Sequence, residues 1–402
     1  MRGFRMHKRF ATRMKNVQPS AIRDLLALGA DPTIISFGGG YPDAALFPTD
    51  QLQAVFYDVI RSPGGDNMQY APSDGLPRLR AQIAELMRAD GTPCQSDDVL
   101  ILQGSQQGLD FAAKILVDPE DVIITEDPTF LGALIAFNPY QPKYSAVPVD
   151  QDGMQMQALE HALKTQPRAK MVYTVPDFQN PTGVTLSLSR RQKLIELAND
   201  YNVIVLEDTP YRHIRFTGDT LPTLKSMDTQ GRVIHLGSFS KILVPGLRVG
   251  WAVAAPDLLE PMGLLKVAAD TQTSTLNMAA ASLFLERYDL DTHIAGLRLA
   301  YRRKKDVMLT AIRQYFPQDV EMTDPEGGLF TWVSFSQGFD AAAFMQDVAL
   351  PTAGVAYVPG GTFFPVTEQA NHARFNYSAQ PDDRIRTGIA ALGRALKQHP
   401  FP

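Results

Sequence analysis

The sequence predicts an α/β layer sandwich, with a mostly parallel or mixed sheet covered by helices, and a smaller α+β domain beside it. Three observations carry this. Short apolar runs of strand length recur at residues 99–102, 122–125, 171–175, 203–206 and 233–236, with helical stretches between several of them. These runs end in glycine, acidic or small polar residues, where open α/β sheets bind their ligands. A chain of 402 residues exceeds one small core, so two domains are expected. The larger takes residues 65–290, and the smaller takes 1–64 with 291–402.

Bulk composition excludes several classes. Apolar residues make up 45% and charged residues 20%, as in ordinary globular chains. A net charge of -5 argues against nucleic acid or an anionic membrane as partner. Cys94 is the single cysteine, so no intrachain disulfide forms, which fits a cytoplasmic location. No apolar run is long enough to span a membrane. The basic N-terminus lacks a following apolar stretch, so no secretory signal is expected.

Taken in order, residues 20–28 carry apolar positions at helical spacing, with Ser20 placed to cap. Arg23 lies on this helix and reads, unaided, as a surface arginine. Gly38, Gly39 and Gly40 follow an apolar run; they form either a plain turn or a place where backbone closely approaches a ligand. The loop at 68–75 holds Tyr70, which alone reads as packing. After the strand at 99–102, Gln-Gly-Ser-Gln-Gln leads to a helix expected over 109–116. That turn puts free N–H groups and a positive dipole end at Ser105 and Gln106. The strand at 122–125 runs into Glu126-Asp-Pro-Thr-Phe130. The strand at 171–175 exits through a loop holding Asn180, whose backbone is expected to be extended before Pro181. Ser189 and Gln192 read as a capping box for a helix reaching about Asp200. The strand at 203–206 ends in Glu207-Asp208-Thr-Pro-Tyr211. A carboxylate there needs a partner, unless it only caps a turn. Residues 297–315 form a basic helix whose charges are expected to be solvated. Residues 326–333 read as turn and strand, and 357–364 as a glycine loop. Arg374 lies on a short alternating strand at 373–377; it reads as a strand-edge arginine or as a fork for a carboxylate.

The strand at 233–236 gives way to Gly237-Ser-Phe-Ser-Lys241, and Pro245-Gly246 turns the chain before Arg248. A lysine buried among small residues can lose its charge and form a Schiff base with an aldehyde. Ser238, Ser240 and Arg248 offer the hydroxyls and guanidinium that a phosphate needs. An aldehyde and a phosphate together suggest pyridoxal 5'-phosphate, PLP.

The pattern S-F-S-K-x-x-x-P-G-x-R, at 238–248, resembles the Schiff-base lysine segment of fold-type I, aspartate aminotransferase-like PLP enzymes. Within class I/II it is most similar to the α-aminoadipate and kynurenine aminotransferase group, and the resemblance runs from about Ser20 to the C-terminus. It implies that Lys241 holds PLP and moves the substrate proton. Asp208 would pair with the pyridine nitrogen, Tyr211 and Asn180 with the phenolic oxygen, and Phe130 would stack on the ring without the usual tyrosine hydroxyl. Ser105, Gln106, Ser238, Ser240 and Arg248 would hold the phosphate, joined by Tyr70 from the other subunit of a homodimer with shared active sites. Gly39, Gly40, Asn180 and Arg374 would meet the substrate α-carboxylate, and Arg23 a distal one. No metal is implied. The expected reaction moves an amino group from an L-amino acid (aminoadipate, glutamate, aromatic or branched-chain) to a 2-oxo acid such as 2-oxoglutarate. Two rivals are β-elimination or decarboxylation on the same fold, and a PLP-fold ligand sensor. Such sensors carry an N-terminal DNA-binding domain, and the short stretch before the Gly38 motif makes that rival the less expected one.

Overall fold

The computed structural model describes residues 10–17 and 31–399. The helix expected over 20–28, with Ser20 and Arg23, lies outside the described residues. The chain enters through β1 (Ile35–Ser36), α1 (Thr49–Arg61) and α2 (Pro77–Ala89). It then alternates: β2 (Val99–Leu102), α3 (Ser105–Leu116), β3 (Val122–Asp127), α4 (Leu131–Phe137), β4 (Lys143–Asp150), β5 (Gly153–Met154), α5 (Met156–Thr165), β6 (Ala169–Thr174), α6 (Leu188–Asp200), β7 (Ile204–Asp208), α7 (Leu224–Met227), β8 (Val233–Ser238) and β9 (Gly250–Val253). Three helices follow, α8 (Pro256–Asp270), α9 (Thr275–Arg287) and α10 (Leu290–Tyr315). The remainder is β10 (Glu321–Met322), β11 (Phe330–Ser334), α11 (Ala341–Phe344), β12 (Val355–Ala356), β13 (Val358–Pro359), β14 (His372–Asn376) and α12 (Asp382–Gln398).

The large sheet has the order β2-β9-β8-β7-β6-β3-β4-β5. Strands β8, β7, β6, β3 and β4 run parallel, while β9 is antiparallel to both β2 and β8 and β5 is antiparallel to β4, so the sheet is mixed. Its apolar runs are continuous because both faces are covered. Ile123, Met171, Leu206 and Ile234 enter one core, and their neighbours Ile124, Val172, Val205 and Val233 enter a second on the opposite face. Parallel pairing brings the ends of β3, β6, β7 and β8 to one edge. The sequence reading did not anticipate β4 or β9: β4 is only weakly buried, and β9 is four residues long, directly after the turn that follows Lys241.

A four-stranded sheet, β10-β11-β14-β13, stands apart from the large one, and β1 pairs with β12. Arg374 on β14 is in register with Trp332 of β11 and Val358 of β13, so it occupies a central strand rather than an edge. Nor does β14 alternate between core and solvent. Phe375 packs against Phe37, Phe316 and Tyr357 on one side, and Arg374 lies against Phe330 and Phe363 on the other.

Three local expectations change. Helix α3 begins at Ser105, directly after Gly104, so Ser105 and Gln106 are its first residues. Helix α6 starts after Ser187 with no side-chain cap, so Ser189 and Gln192 lie inside it and form no capping box. The basic face of α10 is only partly solvated: Lys304 pairs with Asp43 and Lys305 with Asp324, and both lysines are buried. Asn180–Pro181 is a cis peptide. Among the described residues no helix is long and apolar enough to cross a membrane.

Candidate active site

The edge where β3, β6, β7 and β8 end gathers most of the sequence-predicted site residues. One corner suits a phosphate. Gly250 opens β9 in register with both Leu102 and Ser238, and a Cβ there would lie 2.7 Å from Ser105 N. Only glycine lets the first turn of α3 come this close to the start of β9. Gly104 has φ +74, and a Cβ there would lie 2.5 Å from Arg248 Nη2. Arg248 itself adopts φ 51. Its Nη1 lies 3.4 Å from Ser240 Oγ, and Ser238 Oγ donates to Ser240 Oγ at 2.9 Å. The corner thus collects two hydroxyls, one guanidinium and the N–H groups at a helix start, the chemistry of an anion site. Gln106 contributes backbone only, since its Nε2 donates to Gly132 O at 2.7 Å. That bond ties α3 to the start of α4, where Phe130 stands, partly buried, at the cap position.

Lys241 Nζ donates to Gly40 O at 2.7 Å. Burial, then the charges of Arg374 and Arg248, bring its pKa down to about 8. At neutral pH it loses its proton far more readily than an ordinary lysine does. Asp208 ends β7 and is 2% exposed. Its Oδ2 accepts from Tyr173 Oη at 3.2 Å, while Oδ1 is buried without a partner. Burial pushes its pKa up to about 7, against the opposing Tyr173 hydrogen bond and the nearby His235. A buried carboxylate oxygen with no donor is what a pyridinium N–H would satisfy.

A hydrogen-bonded chain crosses to the smaller sheet. Arg374 Nη1 donates to Asn180 Oδ1 at 2.8 Å, and Asn180 Nδ2 donates to Tyr211 Oη at 3.2 Å. Both ends of the Asn180 amide are therefore oriented. Arg374 Nη2 donates to Gly38 O at 2.8 Å, and its guanidinium lies 4.2 Å from the Phe330 ring centroid. No carboxylate of the described residues pairs with Arg374, and its buried Nε has no partner. Burial lowers its pKa to about 10 and raises that of Tyr211 to about 12. A desolvated guanidinium of this kind is poised for an anionic ligand.

Two sequence-predicted residues are not gathered here. Tyr70 is 81% exposed, and Arg23 is outside the described residues. In the glycine run, the carbonyls of Gly38 and Gly40 receive the two cations, and Gly39 lies between them. The sequence reading missed Tyr173, Phe330 and Glu126. Glu126 is buried and accepts from Thr174 Oγ1 at 2.6 Å and Gln179 Nε2 at 3.1 Å. Burial, with Asp208 nearby, pushes its pKa up to about 7. It stands next to the last residue of a buried strand, much as Asp208 ends one, so the same signal would have found it. Among the described residues no cluster could hold a metal ion.

These residues fit PLP: a lysine that readily becomes neutral, an anion corner, a carboxylate oxygen without a donor and a buried guanidinium without a carboxylate among the described residues come together here. Comparison with known proteins agrees. The family model "Aminotransferase class I and II" matches residues 39–392. The chain is 37% identical to aromatic-amino-acid aminotransferase 1 of Thermococcus litoralis over 97% of this chain and 94% of that one. It is 36% identical to 2-aminoadipate transaminase of Thermus thermophilus, over 95% and 94% of the two chains. The solved kynurenine aminotransferase of Pyrococcus horikoshii, in complex with PMP, matches with a TM-score of 0.92 and 36% identity over 98% of both chains. The chain therefore belongs to the class I and II aminotransferases, PLP-dependent enzymes of fold type I that transfer amino groups.

Proposed function

We propose that this aminotransferase takes its amino group from L-amino acids with a dicarboxylic, aromatic or branched side chain and passes it to a 2-oxo acid such as 2-oxoglutarate. The observation that carries the substrate class is Arg374, a buried guanidinium on a central strand that no carboxylate among the described residues neutralises. It takes the substrate α-carboxylate, and Asn180, bonded to it, lies alongside. PLP, when bound, supplies the electron sink for the substrate α-carbon. Lys241 Nζ would hold the cofactor and, once freed as a neutral amine, would carry the proton from the substrate α-carbon to the cofactor. Asp208 Oδ1 accepts from the pyridine nitrogen and keeps it protonated. Asn180 and Tyr211 hold the phenolic oxygen, Phe130 the ring face, and Ser105, Gln106, Ser238, Ser240 and Arg248 the phosphate. Exposure of Tyr70 supports its reaching a partner's phosphate in a homodimer. The two sheets support a larger and a smaller domain, and one free, buried cysteine suits the cytoplasm.

Mixing the holoenzyme with one amino acid and no acceptor tests the reaction class. Pyridoxamine phosphate should accumulate with release of a 2-oxo acid. Release of ammonia or carbon dioxide instead would mean elimination or decarboxylation. The names of the relatives point to aminoadipate and aromatic donors. Comparing kcat/KM for aminoadipate and phenylalanine in wild type and Arg23→Ala tests the distal contact: a loss confined to the dicarboxylate supports it, and equal or no losses reject it.

A further inference from the structure

Behind the phosphate corner sits a lysine that the reaction does not use. Lys266 lies on α8 with 0% of its surface exposed. Its Nζ donates to Gln107 Oε1 at 2.8 Å, Asp270 Oδ2 at 2.8 Å and Thr273 Oγ1 at 2.9 Å. All three ammonium donors are thus used. A buried ammonium is costly even when paired, and an apolar side chain would commonly fill such a place more cheaply. What the lysine organises is therefore informative.

Gln107 stands in the first turn of α3. Its Oε1 also accepts from Gln103 N at 2.9 Å, and its Nε2 donates to Asp270 Oδ2 at 2.9 Å. Gln103 O in turn accepts from Arg248 Nη2 at 3.4 Å. The path Lys266–Gln107–Gln103–Arg248 therefore runs through hydrogen bonds along its whole length. The same α8–α9 junction grips the loop just before Arg248 and the segment that carries Tyr70. Asn277 Nδ2 donates to Leu247 O at 3.0 Å, one residue before Arg248. Gln272 Oε1 accepts from Ala71 N at 3.0 Å, and Thr275 Oγ1 donates to Gln69 O at 2.9 Å, holding the chain on both sides of Tyr70. Thr271, between these groups, is held at φ 66, a conformation that a β-branched residue avoids unless its surroundings impose it.

We infer that Lys266 is a positioning residue for the cofactor phosphate: through Gln107 it fixes the turn at Gln103, and with it Arg248 and the start of α3. This rests on the assignment of Ser105, Ser240 and Arg248 as the phosphate cup. The competing account is that Lys266 and Asp270 only staple one turn of α8 to its neighbours. The two differ in which ligand they affect. A phosphate-positioning residue matters for PLP and not for pyridoxal, which has the same aldehyde and ring but no phosphate. A mere staple affects both alike.

The experiment uses the full-length chain, purified as holoenzyme, stripped of cofactor and titrated with PLP or pyridoxal while the lysine-bound chromophore is followed by absorbance. The variants are Lys266→Met and Gln107→Leu; the second leaves Lys266 bonded to Asp270 and Thr273 and serves if the first does not fold. Arg248→Ala is the reference. We expect both variants to weaken PLP by roughly tenfold or more, with pyridoxal changed less than twofold. Lys266→Arg should recover part of the loss. If Arg248→Ala lowers PLP affinity selectively while Lys266→Met and Gln107→Leu weaken both ligands equally, or neither, the inference about Lys266 is overturned. If Arg248→Ala itself shows no selectivity, the phosphate-cup assignment fails, and the role of Lys266 fails with it.

Discussion

Replacing Asp208 by asparagine separates the cost of a buried carboxylate from its use. Burial lifts the Asp208 pKa from its ordinary 3.8 to about 7. In the unfolded chain the group ionises near the ordinary value. Between these two pKa values the unfolded state gives up a proton that the folded, cofactor-free state keeps. Stability from this group is thus fully present below the ordinary pKa, falls as pH rises, and is lost above about 7. A shift of about three units at about 1.36 kcal/mol each amounts to roughly 4 kcal/mol. The Asp208→Asn amide does not titrate, so that variant lacks this loss. Glu126, also lifted to about 7, is present in both proteins and largely cancels in the comparison. Thermal unfolding of the two cofactor-free proteins across this range checks it. The variant should gain Tm over wild type as pH rises, with the gain levelling near neutrality. Adding PLP should reverse the order, because the pyridine nitrogen partners Oδ1, and the variant's single-turnover transamination should be slower by orders of magnitude. Parallel pH curves for the cofactor-free proteins would refute the reasoning, since Asp208 would then ionise in the fold at no cost.

Other substitutions probe the same edge. Lys241→Ala should abolish turnover and the cofactor's lysine-bound absorbance band, whereas loading of wild type with PLP should speed up as pH rises through about 8, where Nζ becomes neutral. A flat rate profile across that range would show that Lys241 is not the group being deprotonated. Tyr173→Phe removes the hydroxyl that donates to Asp208 Oδ2, and it should slow transamination by about tenfold, the scale of a hydrogen bond to a charged group. An unchanged rate would mean that Tyr173 only packs. Mixing Tyr70→Phe with Lys241→Ala protein should restore activity through heterodimers that contain one wild-type site, provided each parent is impaired; no recovery would place both residues in one site of one chain.

The continuous strand runs, the glycine at the α3 turn, the lysine segment at 238–248 and the acidic end of β7 were all legible in the sequence. Each depends on chemistry confined to a few adjacent residues. Burial of a strand on both faces shows as an uninterrupted apolar run, and each half of the phosphate corner shows as a short glycine- or serine-containing turn, at 104–105 and at 238–248. What only the tertiary structure decided involves residues far apart in the chain. Asp208 meets Tyr173 because β6 and β7 pair in parallel at a particular register. Arg374 is buried in a central strand, bonded to Asn180, which is distant in sequence. Lys304 and Lys305 belong to a stretch that reads as a solvated basic face, yet they are buried against Asp43 and Asp324. Lys266 reads as one more lysine on a helix until Gln107 and Gln103 link it to Arg248. The physical reason is the same in each case. Which residues are chemically able to act is set by side-chain type and local turn geometry, whereas their partners, burial and hence their pKa values are set by strand register and helix packing, which bring distant segments within hydrogen-bonding distance.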